Sequence, residues 1–361
     1  MDRLKVGVLG ATGMVGQRFV SLLADHPWFE VVSAAASARS AGKTYRDAVE
    51  GRWTLKSDIP ASIVDMVVKN VNEIETIAGE VDFVFSALDL DKADIRNLED
   101  AYAKRETPVA SNNSAHRWTP DVPMLIPEIN PEHLDVIPAQ RKRLGTRAGF
   151  VAVKPNCSIQ PYVPAFHALS EFGPARASVC TYQAISGASK TFGTWPEMVD
   201  NIIPYIGGGE EEKSTQEPLK IWGKVTKGEI VNARGPVISA QCIRVPVTDG
   251  HMAAVSVSFE SRPARDSILE RWKAFQGSPR AANLPSSPRP FLTYYEEEDR
   301  PQTRLDRDAG DGMGVTLGRL RGDTLFDYKF IALSHNTVRG AAGGAILMAE
   351  LLKSEGYIQA K

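Results

Sequence analysis

The sequence predicts an α/β protein in two parts: a doubly wound parallel sheet, then an α+β portion with a mixed, largely antiparallel sheet. Three observations predict it. An apolar run near the start ends in a glycine-rich turn and continues at helical spacing. The first stretch of about 150 residues keeps alternating strand-like and helical segments, and beyond Cys157 strand-like runs follow one another with turns or helical stretches between them.

The opening run is Leu4 to Leu9. It ends in Gly10-Ala11-Thr12-Gly13-Met14-Val15-Gly16, after which Phe19, Val20, Leu22 and Leu23 recur at helical spacing. The G-x-x-G-x-x-G pattern lets backbone amides at a helix N-terminus approach a pyrophosphate, so Gly10, Ala11, Thr12, Gly13, Met14 and Val15 are read as cofactor-binding in a Rossmann-type unit. The alternative is a tight turn without a ligand. A second strand, Glu30 to Ala36, leads into Ser37-Ala38-Arg39-Ser40-Ala41-Gly42-Lys43. Many NAD-binding folds place an acid here for the ribose hydroxyls; Ser37, Arg39, Ser40 and Lys43 instead suit a ribose 2′-phosphate, and the cofactor is read as NADP, with a solvated basic loop as the alternative. Val81 to Leu88 reads as a buried parallel strand with Ser86 toward its carboxyl end, where doubly wound sheets bind ligands. A helix over Lys92 to Lys104 and a strand over Thr107 to Asn112 continue the alternation.

Val151 and Val153 form a β-branched run that stops at Lys154-Pro155, and Val163, Phe166 and Leu169 resume helical spacing. Cys157 is therefore expected at a strand-to-helix junction, where unpaired amides and a helix dipole favour thiolate; the alternative is a buried small hydrophobe. Strands are expected over Arg176 to Ile185, Val231 to Val247, Met252 to Glu260, Gly314 to Leu320 and Leu325 to Leu333. An apolar helical segment is expected around Met198, Ile202 and Ile203, a surface loop over Ser278 to Gln302, and a helix within Asn336 to Lys361 that packs back on the first part through its small residues.

The composition, 43% hydrophobic and 24% charged with a net charge of −2, is that of a globular chain and gives no reason to expect nucleic acid. The three cysteines, Cys157, Cys180 and Cys242, form neither a metal-type nor a disulfide-framework spacing. No metal is expected. The start, Met1 to Gly10, enters a strand and glycine loop directly, and no stretch approaches a membrane span, so the expectation is a cytoplasmic protein without a membrane partner.

A thiolate beside NADP suits aldehyde oxidation through a thioester, and such chemistry needs an acid/base group. Of six histidines, His251 stands out at a turn between two strand-like runs, in Arg244-Val245-Pro246-Val247-Thr248-Asp249-Gly250-His251. Arg244 can hold a carboxylate bidentately if both side chains enter one cleft; otherwise the two are surface groups. In Gly207-Gly208-Gly209-Glu210-Glu211-Glu212-Lys213 a carboxylate can meet a substrate ammonium and Lys213 a phosphate, although acidic runs are commonly solvated faces. Arg117, beyond Ser111 to His116, is a further candidate anion ligand.

Taken in order, these motifs make the chain resemble the aspartate-β-semialdehyde dehydrogenase family, most closely its archaeal and fungal branch. They are G-A-T-G-M-V-G at 10–16, S-A-R-S-A-G-K at 37–43, S-N-N-S-A-H-R at 111–117, P-N-C-S at 155–158, Y-Q-A-I-S-G-A at 182–188, E-E-E-K at 210–213, R-V-P-V-T-D-G-H at 244–251 and N-T-V-R-G-A-A-G at 336–343. The resemblance implies an NADP-binding part over residues 1–155, completed by 336–361, and a catalytic and oligomerisation part over 156–335. It implies reversible reductive dephosphorylation of L-aspartyl-4-phosphate, in the route to lysine, methionine and threonine, by a homodimer or homotetramer. Cys157 would be the nucleophile, His251 the acid/base, and Gln183 an orienting group. Arg244 and Glu210 would hold the amino-acid end, Asn156, Arg117 and Lys213 the phosphate, and Asn336 with Ser186 and Gly187 the nicotinamide end. N-acetyl-glutamyl-phosphate reductase and a malonyl-CoA-type reductase are the enzyme alternatives; a redox-sensing NADP-binding module without catalysis is the alternative of another class.

Overall fold

The computed structural model describes residues 3–361; Met1 and Asp2, where the reading of the N-terminus begins, lie outside the described residues. Six strands form the first sheet: β1 (Leu4–Leu9), β2 (Phe29–Ala36), β3 (Lys69–Asn70), β4 (Phe83–Ser86), β5 (Val109–Ser111) and β6 (Val151–Val153), all parallel in the order β3-β2-β1-β4-β5-β6. Alternate side chains feed two cores. Val84, Val109, Val151 and Val153 face one, and Phe83, Phe85, Ala110 and Ala152 the other. Burial on both faces explains why these strands read as continuous apolar runs. Strand order reverses between β1 and β4, which opens a crevice at their carboxyl ends.

The helix Met14–Leu23 buries Phe19, Val20 and Leu23 on one face of this sheet. The helix Gly343–Ser354, buried throughout Gly343 to Leu352, joins the same core, so the end of the chain returns to the first sheet. The expected helix over 336–361 is shorter than its apolar pattern. Asn336 and Thr337 lie in a turn, and the segment Val338–Ala342 has a non-helical backbone at Ala341.

The second sheet contains β7 (Pro174–Gln183), then, after a small hairpin of β8 (Lys224–Thr226) and β9 (Glu229–Val231), β10 (Val237–Arg244), β11 (His251–Phe259), β12 (Leu292–Tyr295), β13 (Val315–Gly322) and β14 (Tyr328–Ser334). Its order is β10-β7-β11-β14-β13-β12; the outer pairs β10/β7 and β13/β12 are parallel and the inner ones antiparallel. Along β11 burial alternates strictly, with His251, Ala253, Val255, Val257 and Phe259 inward, so one face is covered and the other open. Three expectations change. The 278–302 stretch holds the edge strand β12; 231–247 splits into the end of a hairpin and β10; and the apolar residues near Met198 form a turn, Pro196–Met198, and an extended chain in which Ile203 bridges Arg244.

A buried ion pair fastens the C-terminal segment. Both amino groups of the Arg339 guanidinium meet the Glu128 carboxylate, Nε donates to Gln160 Oε1 at 3.2 Å, and the group lies 4.6 Å over the Phe291 ring. Arg339→Met leaves Glu128 buried without its partner and should cost about 3–5 kcal/mol, read as a lower urea midpoint, with Glu128→Gln in the same chain recovering part of the loss.

A second measurement tests a buried histidine. His133 Nδ1 accepts from Asn130 Nδ2 at 2.9 Å and Nε2 donates to the Gly223 carbonyl at 3.1 Å; burial pulls its pKa down to about 4. Below the unfolded value, near 6.5, the unfolded chain binds a proton that the native chain refuses. Stability is thus complete above that value and falls by about 1.4 kcal/mol per pH unit for this residue down to the native value. Urea midpoints compared at pH 7 and pH 5 should show a smaller fall in His133→Gln than in the wild type.

Candidate active site

At the crevice the three glycines divide their work. A Cβ on Gly10, whose φ is +83°, would lie 2.2 Å from the Ala87 carbonyl oxygen, and one on Gly16 would lie 2.1 Å from that of Gly10. Both are required by the fold. A Cβ on Gly13 would meet nothing closer than 3.5 Å, so its bareness serves the space in front of the helix N-terminus. A cleft of about 380 Å³ opens there, lined by Gly10, Thr12 and Gly13 and by Ser37, Ala38 and Arg39 at the carboxyl end of β2. Arg52, Asn70, Asn72 and Asp89 line it too and were missed from sequence; β3, which presents Asn70 and is followed by the turn that holds Asn72, has only two residues.

Other expected cofactor residues sit elsewhere. Ser40 is buried, and Lys43 is exposed outside the cleft lining, because the chain turns at Ser40, whose amide donates to the Ser37 carbonyl. The Ala11 carbonyl accepts from the Tyr45 hydroxyl at 2.9 Å. Ser86 is buried and donates to Asn113 Oδ1 at 3.0 Å, so it fixes a loop rather than lining the cleft. Met14 borders a small adjoining cavity with Ser186 and Thr337, and Val15 reaches the next cleft.

That second cleft, about 300 Å³, contains Cys157, Asn156, Gln183, Ser186, Gly187, Glu210, Lys213, Arg117, Arg244 and Asn336. Sheet register explains how distant residues meet. Gln183 ends β7, Arg244 ends β10 and is paired with it, and His251 begins the antiparallel β11; all three are buried at one end of the second sheet. Cys157 comes from the other side, in a short 3₁₀ turn after β6 capped by Asn156. Its thiol donates to Asn156 Oδ1 at 3.3 Å. Gly187 permits the crowding, since a Cβ there would lie 2.9 Å from Arg244 Nη1 and 3.1 Å from His251 Nε2.

Glu210 is the hub among the three glutamates. Its Oε1 accepts from Asn156 Nδ2 at 2.9 Å and Gln183 Nε2 at 3.2 Å, while Oε2 meets Lys213 Nζ at 3.2 Å. Glu211 turns away to the Cys242 amide. Glu210 starts the helix Glu210–Ile221, where a carboxylate is favoured by the dipole. Arg117 is already engaged: it donates to the Lys154 and Asn112 carbonyls and pairs with Glu217 at 2.9 Å. Glu217 also accepts the Asn156 amide and joins the site without a sequence signal of its own, while Asn112, Asn113, Ser114 and Thr337 line the cleft from within the 111–117 and 336–343 motifs, where no role was assigned to them. Asn336 is structural as well as site-lining: Oδ1 accepts the Gly250 amide at 2.7 Å and Nδ2 donates to Ser186 Oγ at 2.8 Å.

The electrostatics differ from expectation. No helix of useful length begins at Cys157; the next, Val163–His167, has five residues. Burial and the Glu210 carboxylate push the thiol above its ordinary pKa, against the opposing charges of Lys154, Arg117 and Arg244. Burial and Arg244 hold His251 down at about 3, hence neutral. The Ala184 amide donates to His251 Nδ1 at 3.1 Å, which assigns the ring hydrogen to Nε2. That hydrogen faces the Gln183 amide nitrogen at 3.4 Å, itself a donor; the ring is fully buried and lies behind the residues that line the cleft. Among the described residues no cluster of His, Cys, Asp or Glu is arranged to hold a metal, and no helix is long and apolar enough to cross a membrane.

Residues 5–137 match the family of the semialdehyde dehydrogenase NAD-binding domain, and residues 164–339 that of the semialdehyde dehydrogenase dimerisation domain. The aspartate-semialdehyde dehydrogenase of Archaeoglobus fulgidus is 44% identical over 358 residues, covering 99% of this chain and all of the relative; that of Aspergillus fumigatus is 42% identical, covering 98% of each. The crystal structure of the Candida albicans aspartate-semialdehyde dehydrogenase with NADP superposes with a TM-score of 0.87 at 39% identity, covering 99% of this chain and all of that one. With two domain families in sequence and relatives matched end to end, the chain belongs to the aspartate-semialdehyde dehydrogenase family.

Proposed function

We propose that this chain catalyses the NADPH-dependent reductive dephosphorylation of L-aspartyl-4-phosphate to L-aspartate-4-semialdehyde, reversibly, through a thioester on Cys157. The observation that carries the reading is convergence: Cys157, Arg244 and the Glu210–Lys213 pair line one cleft that adjoins a glycine-turn crevice, and the neutral His251 imidazole is buried directly behind Gly187 of that lining. The crevice fits NADP, with open space before Gly13 and with Ser37 and Arg39 where a 2′-phosphate would lie. Bound cofactor supplies or accepts the hydride.

In the biosynthetic direction the Cys157 thiolate attacks the acyl carbon. The carbon–oxygen bond to phosphate breaks, and the thioester forms. After reduction, His251 Nε2–H protects the developing oxyanion by hydrogen bonding, and collapse returns the sulfur to thiolate as the aldehyde leaves. Gln183 fixes the geometry between Glu210 and His251. Arg244 takes the α-carboxylate and Glu210 the ammonium, while Asn156, Arg117 and Lys213 take phosphate. An acetylated amine would bring Glu210 no cation to exchange for Lys213, and a coenzyme A thioester would bring no phosphate to Lys213 and Arg117, which would keep Glu210 and Glu217 as their only anions.

The division of labour follows the chain: cofactor binding over 1–155 with 336–361, catalysis and assembly over 156–335. The open face of the second sheet, carrying Ser178, Cys180 and Tyr182 with Met252, Ala254 and Ser256, suits a second copy, as a dimer or within a tetramer. Three free cysteines fit a reducing, cytoplasmic setting and a place in lysine, methionine and threonine synthesis.

NADPH formation from aspartate semialdehyde, followed at 340 nm, should require phosphate and should vanish in Cys157→Ala; full activity in that variant, or indifference to phosphate, would sink the reading. Arg244→Lys should raise KM for the semialdehyde roughly 10- to 100-fold, the size of a lost charged hydrogen bond, with the KM for NADP little changed.

A further inference from the structure

Lys220 is buried in the last turn of the helix Glu210–Ile221. Its Nζ donates to the carbonyls of Arg117 and Thr119, each at 2.8 Å, and to that of Val122 at 3.0 Å. An ammonium has three hydrogens, and all three are used on one loop. Among the described residues it has no carboxylate within ion-pair distance. A buried charge without a counter-ion costs stability, so the contact asks for a reason beyond packing. Burial lowers its pKa to about 8, with Asp121 and Glu217 opposing, and the ammonium is the form present at neutrality. One turn earlier on the same helix, Glu217 takes the Arg117 side chain, Nη1 to Oε1 at 2.9 Å. Lys213 and Glu210, one and two turns further back, line the cleft. Positions 210, 213, 217 and 220 share one helix face, so a single face carries two cleft residues and both grips on Arg117.

We propose that Lys220 is a positioning residue for phosphate: by holding the Arg117 main chain from the helix that also carries Glu210 and Lys213, it sets where the guanidinium stands relative to those two. The inference rests on the reading of Arg117 as a phosphate ligand. Arg117 spends Nε on the Lys154 carbonyl, one hydrogen of Nη1 on Glu217 and one of Nη2 on the Asn112 carbonyl, so two of its five hydrogens remain for a ligand. A planar fork with two free hydrogens meets phosphate well in one placement only. The side-chain contacts fix how the fork is turned, and Lys220 fixes where its own backbone begins. Arg96 and Gln140 also hold this loop, at the Ala115 and Asp121 carbonyls, but from helices that carry no cleft residue. Only through Lys220 and Glu217 is Arg117 measured against the cleft, along a rigid span of about 15 Å from Glu210 to Lys220.

The test is the KM for phosphate in the oxidation of aspartate semialdehyde with NADP by the full-length protein. Lys220→Met should raise it roughly tenfold, the size of a weakened charged hydrogen bond, while the KM for NADP and the kcat at saturating phosphate move by less than about twofold. Arg117→Gln, which keeps a donor toward Glu217, should raise the phosphate KM by at least as much. In the double variant that KM should match Arg117→Gln alone, because Lys220 acts through the Arg117 side chain. An unmoved phosphate KM in folded Lys220→Met overturns the proposal, and so does a double variant in which the two increases multiply. If Lys220→Met does not fold, Lys220→Gln, which keeps a donor without the charge, carries the same outcomes; if neither folds, Lys220 is structural and the proposal falls. Failure of the underlying reading is seen separately, as an unmoved phosphate KM in Arg117→Gln with Lys220 intact.

Discussion

The site depends on one close approach, the backbone at Gly340 lying against Cys157 with no room for a side chain between them. Cys157 arrives from the first sheet, and His251, Arg244 and Gln183 arrive from the second. The C-terminal segment closes over both. Its position is set by Arg339 on Glu128 below, by Asn336 on Gly250 and Ser186 beside it, and by the buried helix that follows. Each anchor sits within a few residues of Gly340, so the segment has little freedom to withdraw. The glycines of N-T-V-R-G-A-A-G are therefore conditions of assembly, and the irregular backbone at Ala341 is where the chain changes from covering Cys157 to packing on the sheet.

Charge in the site is arranged as alternating partners. Lys213, Glu210 and the Asn156 and Gln183 amides form one chain of contacts; Arg117, Glu217 and the Asn156 main-chain amide form another. Asn156 belongs to both, which ties the loop of Cys157 to the helix Glu210–Ile221 at two points about two turns apart. A substrate with an ammonium and a phosphate would exchange into these pairs rather than enter a neutral pocket. Much of the desolvation cost of the protein groups is then already met by the fold, and the site stays ordered as ligands come and go.

Much of this was legible in the sequence because the relevant residues sit in short runs whose local form is dictated locally. The glycine turn, the helix Lys92–Lys104 and the capped turn at Cys157 depend on neighbours in the chain. The strand Leu292–Tyr295 was hidden between prolines and acids, and its existence depends on β13. The apolar residues near Met198 suggested a helix, yet Val199, Ile202 and Tyr205 point outward, which periodicity alone cannot distinguish from a buried stripe. Ser40 and Lys43 were assigned by composition, whereas a tight turn directs one inward and the other away. The thiol was the largest departure: burial raises it first, and Glu210, Arg117 and Arg244, brought in from 40 or more positions away along the chain, act on it together with the neighbouring Lys154, a sum that no local motif encodes.

The tautomer of His251 gives the proposed reaction a preferred starting state. A main-chain amide cannot reverse its polarity, so as long as Ala184 N–H points at Nδ1 the neutral ring is a donor at Nε2. Such a ring stabilises an oxyanion formed by reduction of a thioester. It is not, in that state, a base for the Cys157 thiol. The proton lost from sulfur must therefore leave by another route. Separate groups for the oxygen and the sulfur remove a conflict that a single histidine would face, since it would have to be deprotonated to activate the nucleophile and protonated at Nε2 to meet the product oxygen.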